Sequence, residues 1–371
     1  MANPPAEKRR SYRAFFLVLA LVVLGVGGFT AYRLLQGIEL PEAPLANAPR
    51  SSSLVGYVRF GPVVHSETLR MVLSRDVIED RLQRVRDRCQ LDPASQVEDV
   101  ILFAQGQDLE ALQNIGLVAR GPFDFEKLRT CFREAFAEDG LGEMRVGEID
   151  GVPVAIPANS DQRVAFLGRR GVGLGTEPVV RSIIDVVRDG SANAGADPVL
   201  SRVWDRIATG QDIVLVGHFI PAMRDALREL AGVSGPARFR PFIEKIAAFG
   251  VAADVSQGLD LSLVVSMQDA AAANEVMTTL RAQIEALKND MLVSLTPFGP
   301  VVRSIRTEAT GTDLLITVDI PRERLERLIQ FATAFRSNLA GGPGGSPAAG
   351  SAPAAPPPTI TIPSPAIAPA P

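Results

Sequence analysis

The chain has 371 residues, 46% of them hydrophobic, which is enough for one large or two ordinary cores and excludes disorder throughout. A net charge of -4 and a pI near 5.5 leave no overall basic surface, which excludes nucleic acid as a partner. Two cysteines and two histidines, none in a CxxC, HxxxH or HExxH spacing, supply no metal set, and no cofactor motif is present.

Residues 1–13 form a basic segment carrying Lys8, Arg9, Arg10 and Arg13. From Ala14 to Tyr32 the chain reads AFFLVLALVVLGVGGFTAY, without a charge. As a helix this run reaches roughly 28 Å, close to the hydrocarbon thickness of a bilayer. We expect a transmembrane helix over 14–33, with the basic side in the cytoplasm and the remainder extracytoplasmic. A cleaved signal peptide fits less well, because the run is long and no small-residue cleavage site ends it. Residues 34–53 mix proline with small polar residues and predict a linker, so the folded part is expected from Leu54.

Two stretches then read alike. LVGYVRFGPVVHSETLRMVL at 54 and VLVGHFIPAMRDALREL at 214 each predict a strand, a proline turn and a helix. Paired strands follow, VEDVILFAQ with NIGLVARG and later IAAFGVAADVS with LDLSLVVS. Each pair leads into a helix, the first opened by Asp124, the second by Ser266 and Asp269 at capping-box spacing. An Asp150-Gly151 hairpin is expected in the first copy only. Both copies close on a polar residue, a proline two positions later and an amphipathic helix: Thr176 with Pro178, Asp319 with Pro321. The expected ectodomain units are 54–206 and 207–337, and residues 338–371, rich in proline, alanine and glycine, predict a disordered tail.

The glycines of GVGLGT at 171–176 fail both the dinucleotide and the P-loop spacing. Their counterpart in the second copy reads LLITVD, so no phosphate site is expected there. Instead Thr176 is expected to cap a helix whose Val179, Val180, Ile183, Ile184 and Val187 face a sheet. The succession RVAFLGRRGVGLGTEPVVRSIIDVV, DPVLSRVW and DIVLVGHF resembles a group of bacterial, membrane-anchored, duplicated ectodomains catalogued as a domain of unknown function (DUF3352-like). The resemblance covers roughly residues 54–335 and implies a duplicated envelope protein without assigning catalytic residues.

No GxSxG elbow or SxxK pair is present, and carboxylate pairs such as Asp254 with Asp260, or Glu98 with Asp99, read as strand-end acids. Phe123, Phe125, Phe132 and Phe136 recur at helical spacing and read as core. Cys89 and Cys131 fall on the inward faces of two helices, the first shared with Ile78, Leu82 and Val85, so a bridge and two separate buried thiols both fit. The expected fold is α+β: two tandem related units of antiparallel sheet with helices on one face, behind one N-terminal transmembrane helix. The expected protein is single-pass in the bacterial inner membrane, non-enzymatic, and binds or scaffolds an unknown envelope protein or ligand. The alternative is an envelope enzyme with an unrecognised carboxylate site.

Overall fold

The computed structural model describes residues 39–72, 75–106, 114–190, 193–233 and 240–340. The basic segment, the apolar run expected to span a membrane, and the tail beyond 340 lie outside them. Among the described residues no helix is long and apolar enough to cross a membrane. The chain divides into compact units Met1–Ile329 and Gln330–Pro371, and every strand belongs to the first.

In chain order, β1 (Ser52–Arg59) leads through α1 (Phe60–His65), α2 (Glu67–Val72), α3 (Arg75–Cys89) and α4 (Pro93–Gln96) to β2 (Asp99–Gln105) and β3 (Asn114–Arg120). Helix α5 (Phe125–Glu138) precedes β4 (Met144–Ile149), β5 (Val152–Pro157), β6 (Gln162–Leu167) and β7 (Gly171–Thr176). Helices α6 (Glu177–Asp189) and α7 (Pro198–Ile207) connect to β8 (Ile213–His218), then α8 (Pro221–Val233) and α9 (Arg240–Ile243). Next come β9 (Ile246–Asp254), β10 (Gly258–Met267), α10 (Ala270–Asn289), α11 (Met291–Ser294) and α12 (Gly299–Ser304). The last elements are β11 (Arg306–Thr310), β12 (Asp313–Pro321) and α13 (Arg322–Ala340).

All twelve strands join one antiparallel sheet, ordered β11-β12-β10-β9-β8-β1-β2-β3-β7-β6-β5-β4. The β4–β5 hairpin turns on Asp150 and Gly151, both at positive φ, as an Asp-Gly pair in a tight hairpin requires. It forms one edge of the sheet, while β11 and β12 form the other.

The helices cover both faces, not the single face expected. Val179, Val180, Ile183 and Ile184 of α6 and Leu200, Val203 and Ile207 of α7 pack with Val55, Ile101, Val118 and Val216 on one side. Leu128, Cys131 and Phe136 of α5 pack on the other, against Val164, Phe166 and Val172. Ala272, Ala273 and Met277 of α10 lie on this second side with Met267 and Leu314. The reason is in the strands themselves. In β6, Ala165 and Leu167 enter the first core while Val164 and Phe166 enter the second, so consecutive apolar residues bury both faces.

The expected linker is packed from its first described residues. Leu45 and Ala48 are 5% and 0% exposed, within the first core, and residues Pro44–Asn47 form a short 3-10 helix. The Asn47 side-chain amide donates to the carbonyls of Pro41 and Ala43, at 2.8 and 3.0 Å. Backbone groups that no sheet or long helix satisfies are thereby paired, which is why a stretch without hydrophobic period is still buried. At the other end α13 runs through Ala340, past the tail boundary expected at 338.

Candidate functional site

A row of charged residues lies along one end of the sheet, on the side of α6 and α7. The register brings Arg120, Asp99 and Arg59 side by side on β3, β2 and β1, and Asp254, Asp260 and Asp319 side by side on β9, β10 and β12. Asp212, the residue before β8, lies between the two groups: Arg59 reaches its carboxylate at 3.4 Å, and its own N–H bonds Ala253 O at 3.0 Å.

Each member has a structural partner. Arg120 grips Asp99 in bidentate fashion at 2.6 and 2.5 Å and donates to the carbonyls of Pro41 and Glu42, which fastens the N-terminal segment to the sheet. Asp212 accepts from Val255 N at 3.2 Å, and Asp254 accepts from the N–H and hydroxyl of Ser256 at 2.8 and 2.6 Å. The Ser256 bonds hold the Asp254 carboxyl below the usual range. Burial, then the charge and hydrogen bond of Asp319, push Asp260 up. Asp260 and Asp319 are nonetheless exposed at their strand ends. Of the carboxylates singled out from sequence, Asp254 and Asp260 are direct cross-strand partners, whereas Glu98 pairs with Arg170 at 2.6 and 2.7 Å and Asp99 with Arg120.

Beside Arg120 opens a cavity of about 600 Å³ lined by Glu39, Glu42, Glu98, Arg169 and Arg170. A second, of about 560 Å³, is lined by Arg50, Ser52, Ser53, His218 and Arg224. There His218 Nε2 lies 3.1 Å from Asp197 Oδ2, a pairing that sequence spacing did not suggest. Its only legible trace was the Asp197-Pro198 helix start. Asp197 caps α7, accepting from Val199 N and Leu200 N at 2.8 and 3.0 Å. Burial raises its carboxyl, but these N–H groups and His218 together hold it below the usual range. The hydroxyls do not complete a triad: Ser53 donates to Ala104 O at 3.1 Å, and the buried Ser52 hydroxyl has no bonding partner. The arrangement orients an imidazole without activating a nucleophile. Among the described residues no group of three His, Cys, Asp or Glu side chains is placed to hold a metal ion.

The remaining sequence candidates have structural roles. Gly171, Gly173 and Gly175 lie in β7, where an added Cβ would collide with Leu40 and meet Ile183 at 3.3 Å and Val179 at 2.6 Å. These glycines admit α6 and Leu40 to the sheet. Thr176 occupies the N-cap position of α6, but its buried hydroxyl makes no cap bond. Asp269 alone caps α10, accepting from Ala272 N at 2.6 Å, because Ser266 lies within β10, three residues before the cap position, where its hydroxyl accepts from Arg202. Asp319 does not cap a helix, since β12 continues to Pro321. The phenylalanines surround Phe166, with Phe125 and Phe132 ring centroids 5.7 and 6.5 Å away. Cys89 and Cys131 form a disulfide joining α3 to α5, with Cα atoms 4.6 Å apart. Val85, expected on the inward face of α3, is 38% exposed.

Large apolar side chains also face outward. On the sheet face shared by α5 and α10, Leu102, Ile115 and Val251 are 39%, 52% and 37% exposed. Met291, Leu292 and Leu295 are 74–76% exposed.

No family model matches the chain, and no curated protein matches it. Among solved structures it is similar to crystal form III of TP0453, with TM-score 0.44 and 8% identity over 79% of this chain and 99% of that one. Crystal form I gives 0.44 and 9% over 79% and 98%, and crystal form IV 0.43 and 10% over 80% and 97%.

Proposed function

We propose that the protein is a membrane-anchored extracytoplasmic binding or scaffold protein, related to the bacterial duplicated ectodomains of unknown function that its sequence resembles. One observation carries most weight: the body is already packed at Leu40, so only residues 33–39 separate it from the span-length apolar run. At about 3.5 Å per residue that tether holds the body within roughly 25 Å of a bilayer surface. Exposed leucine, isoleucine and valine on the sheet support a binding role. The enzyme alternative rests on Asp260 and Asp319, whose exposure at strand ends outside both cavities favours solvated strand-end acids instead.

The strand order supports two related units, 54–206 and 207–337, sharing one sheet. Outward from the β1–β8 pair it runs β1-β2-β3-β7-β6 in one direction and β8-β9-β10-β12-β11 in the other. The β4–β5 hairpin is then an addition to the first unit. Protease added to intact spheroplasts tests the topology: it should remove a tag at the C-terminus of the full chain, and a protected tag would overturn the reading.

A further inference from the structure

Between α10 and β11 the chain turns through a corner in which residues 291–302, MLVSLTPFGPVV, carry no charge. Met291, Leu292 and Leu295 are 75%, 76% and 74% exposed, and Phe298 is 46% exposed. The corner is nevertheless a built structure. Asp290 caps α11, accepting from Leu292 N and Val293 N at 2.7 and 3.3 Å. The Thr296 hydroxyl donates to Val293 O at 2.7 Å. At Gly299, where α12 begins, an added Cβ would lie 2.9 Å from Val293 O, so the two short helices are in close contact. The backbone thus holds three large apolar side chains out in water, an arrangement soluble surfaces avoid in clusters.

We propose that this corner dips into the bilayer, with Met291, Leu292 and Leu295 entering its interfacial layer and Lys288, Arg303 and Arg306 meeting anionic headgroups. The inference rests on the membrane-anchored reading above. Charge favours lipid as the occupant: residues 287–306 hold these three cations and a single acid, Asp290, in a chain of net charge -4. Lys288 is half-buried and pairs with the exposed Glu285 at 2.9 Å, so the exposed Arg303 and Arg306 carry most of the headgroup contact. Size favours it as well. Three protruding side chains on a twelve-residue turn are too few for a stable protein interface, which needs about 800 Å² from each partner, but suit a shallow apolar insertion beside cations.

Position supplies the third argument. The chain enters the body where Leu40 packs beside Gly171, the first residue of β7. The corner leads into Arg306, the first residue of β11. Followed strand by strand, the register places Gly171, Arg120, Asp99, Arg59, Asp254 and Arg306 at one end of the sheet. Sheet twist fans those ends apart, and the seven residues 33–39 span at most about 25 Å when fully extended. A tether this short keeps the effective concentration of lipid surface high, so a small apolar contact suffices to orient the body.

The test places a tryptophan in the corner of the full chain. Trp204→Phe with Leu292→Trp is reconstituted in vesicles of phosphatidylethanolamine and phosphatidylglycerol, with and without brominated acyl chains. Flotation reads the anchor, and quenching by bromolipid reads the corner. Several-fold stronger quenching at position 292 than of native Trp204 in the same vesicles is the expected result. Adding Met291→Glu and Leu295→Glu should abolish the quenching while flotation and the melting temperature stay unchanged. Protein that floats with unquenched, water-exposed emission from position 292 overturns the inference and leaves the anchor standing. Blue-shifted emission without bromolipid quenching means that protein covers the corner, and also overturns it. Protein that fails to float overturns both readings.

Discussion

Gly175 lies 2.6 Å, measured from an ideal Cβ, from a methyl group of Val179 on the first turn of α6. Gly175→Ala therefore forces the helix from the sheet, and we expect a loss of about 1–3 kcal/mol in denaturant unfolding. Arg120 holds Asp99 with both side chains largely buried, at 14% and 10% exposure. Arg120→Ala leaves that carboxylate unpaired and also frees Pro41 and Glu42, so a larger loss, about 3 kcal/mol or more, is expected by the same measurement. Asp260 behaves in the opposite sense. Its carboxyl is raised in the folded state by burial and by Asp319, so the folded protein binds that proton more tightly than the unfolded chain does. Stability from this group falls as pH rises through the raised pKa and recovers on acidification. Asp260→Asn should melt above the wild type at neutral pH and converge with it below about pH 4. Residue roles were the least legible level of the sequence. Thr176 and Ser266 have the right identity for caps, but a cap bond depends on the side-chain rotamer, as at Thr176, and on where the preceding strand ends, as at Ser266, which β10 takes up. The His218–Asp197 contact joins residues 21 apart, beyond any local period.

The elements themselves were far easier to anticipate, because strand alternation and helical period act over a few neighbouring residues. The strand pairs β2–β3 and β9–β10, the Asp150-Gly151 turn, the Asp124 cap and the apolar face of α6 all follow from such local patterns. Which face a helix covers is a different matter. It depends on whether both sides of a strand are apolar, and β6, with Val164, Ala165, Phe166 and Leu167 consecutive, buries both. The packing of residues 39–53 is not legible in the sequence for a related reason. Leu40, Leu45 and Ala48 follow no period, and its polar groups are paired by Asn47 and by the distant Arg120. Helices α3 and α5 are joined covalently by Cys89 and Cys131, a link across 42 residues. Restricting a loop of that length corresponds to about 4 kcal/mol in the chain-entropy model. Replacing both cysteines by serine should lower unfolding stability by up to that amount. A matching fall for wild-type protein under reducing conditions would assign the loss to the bridge.

At the scale of the molecule, twelve strands of the described residues form one sheet in which the β1–β8 pair joins the strands that precede residue 207 to those that follow it. The sequence pattern of strands and helices leads to the expectation of two related units, and the strand order on either side of β1–β8 supports that proposal. That all strands join one sheet was not legible, because it depends on β1 meeting β8, more than 150 residues later, with Val55 opposite Val216. The same sheet end that carries the charged row receives the chain from its N-terminal side, so anchoring and body orientation are linked in this account. Its central claim is that the body lies outside the cytoplasm, where a bridge between α3 and α5 is chemically sustained. The most direct test is thiol trapping in living cells, with acid quench and alkylation of the full chain before any reduction. The account predicts that the Cys89 and Cys131 peptides are recovered linked to each other. Recovery of both peptides free and alkylated would contradict it.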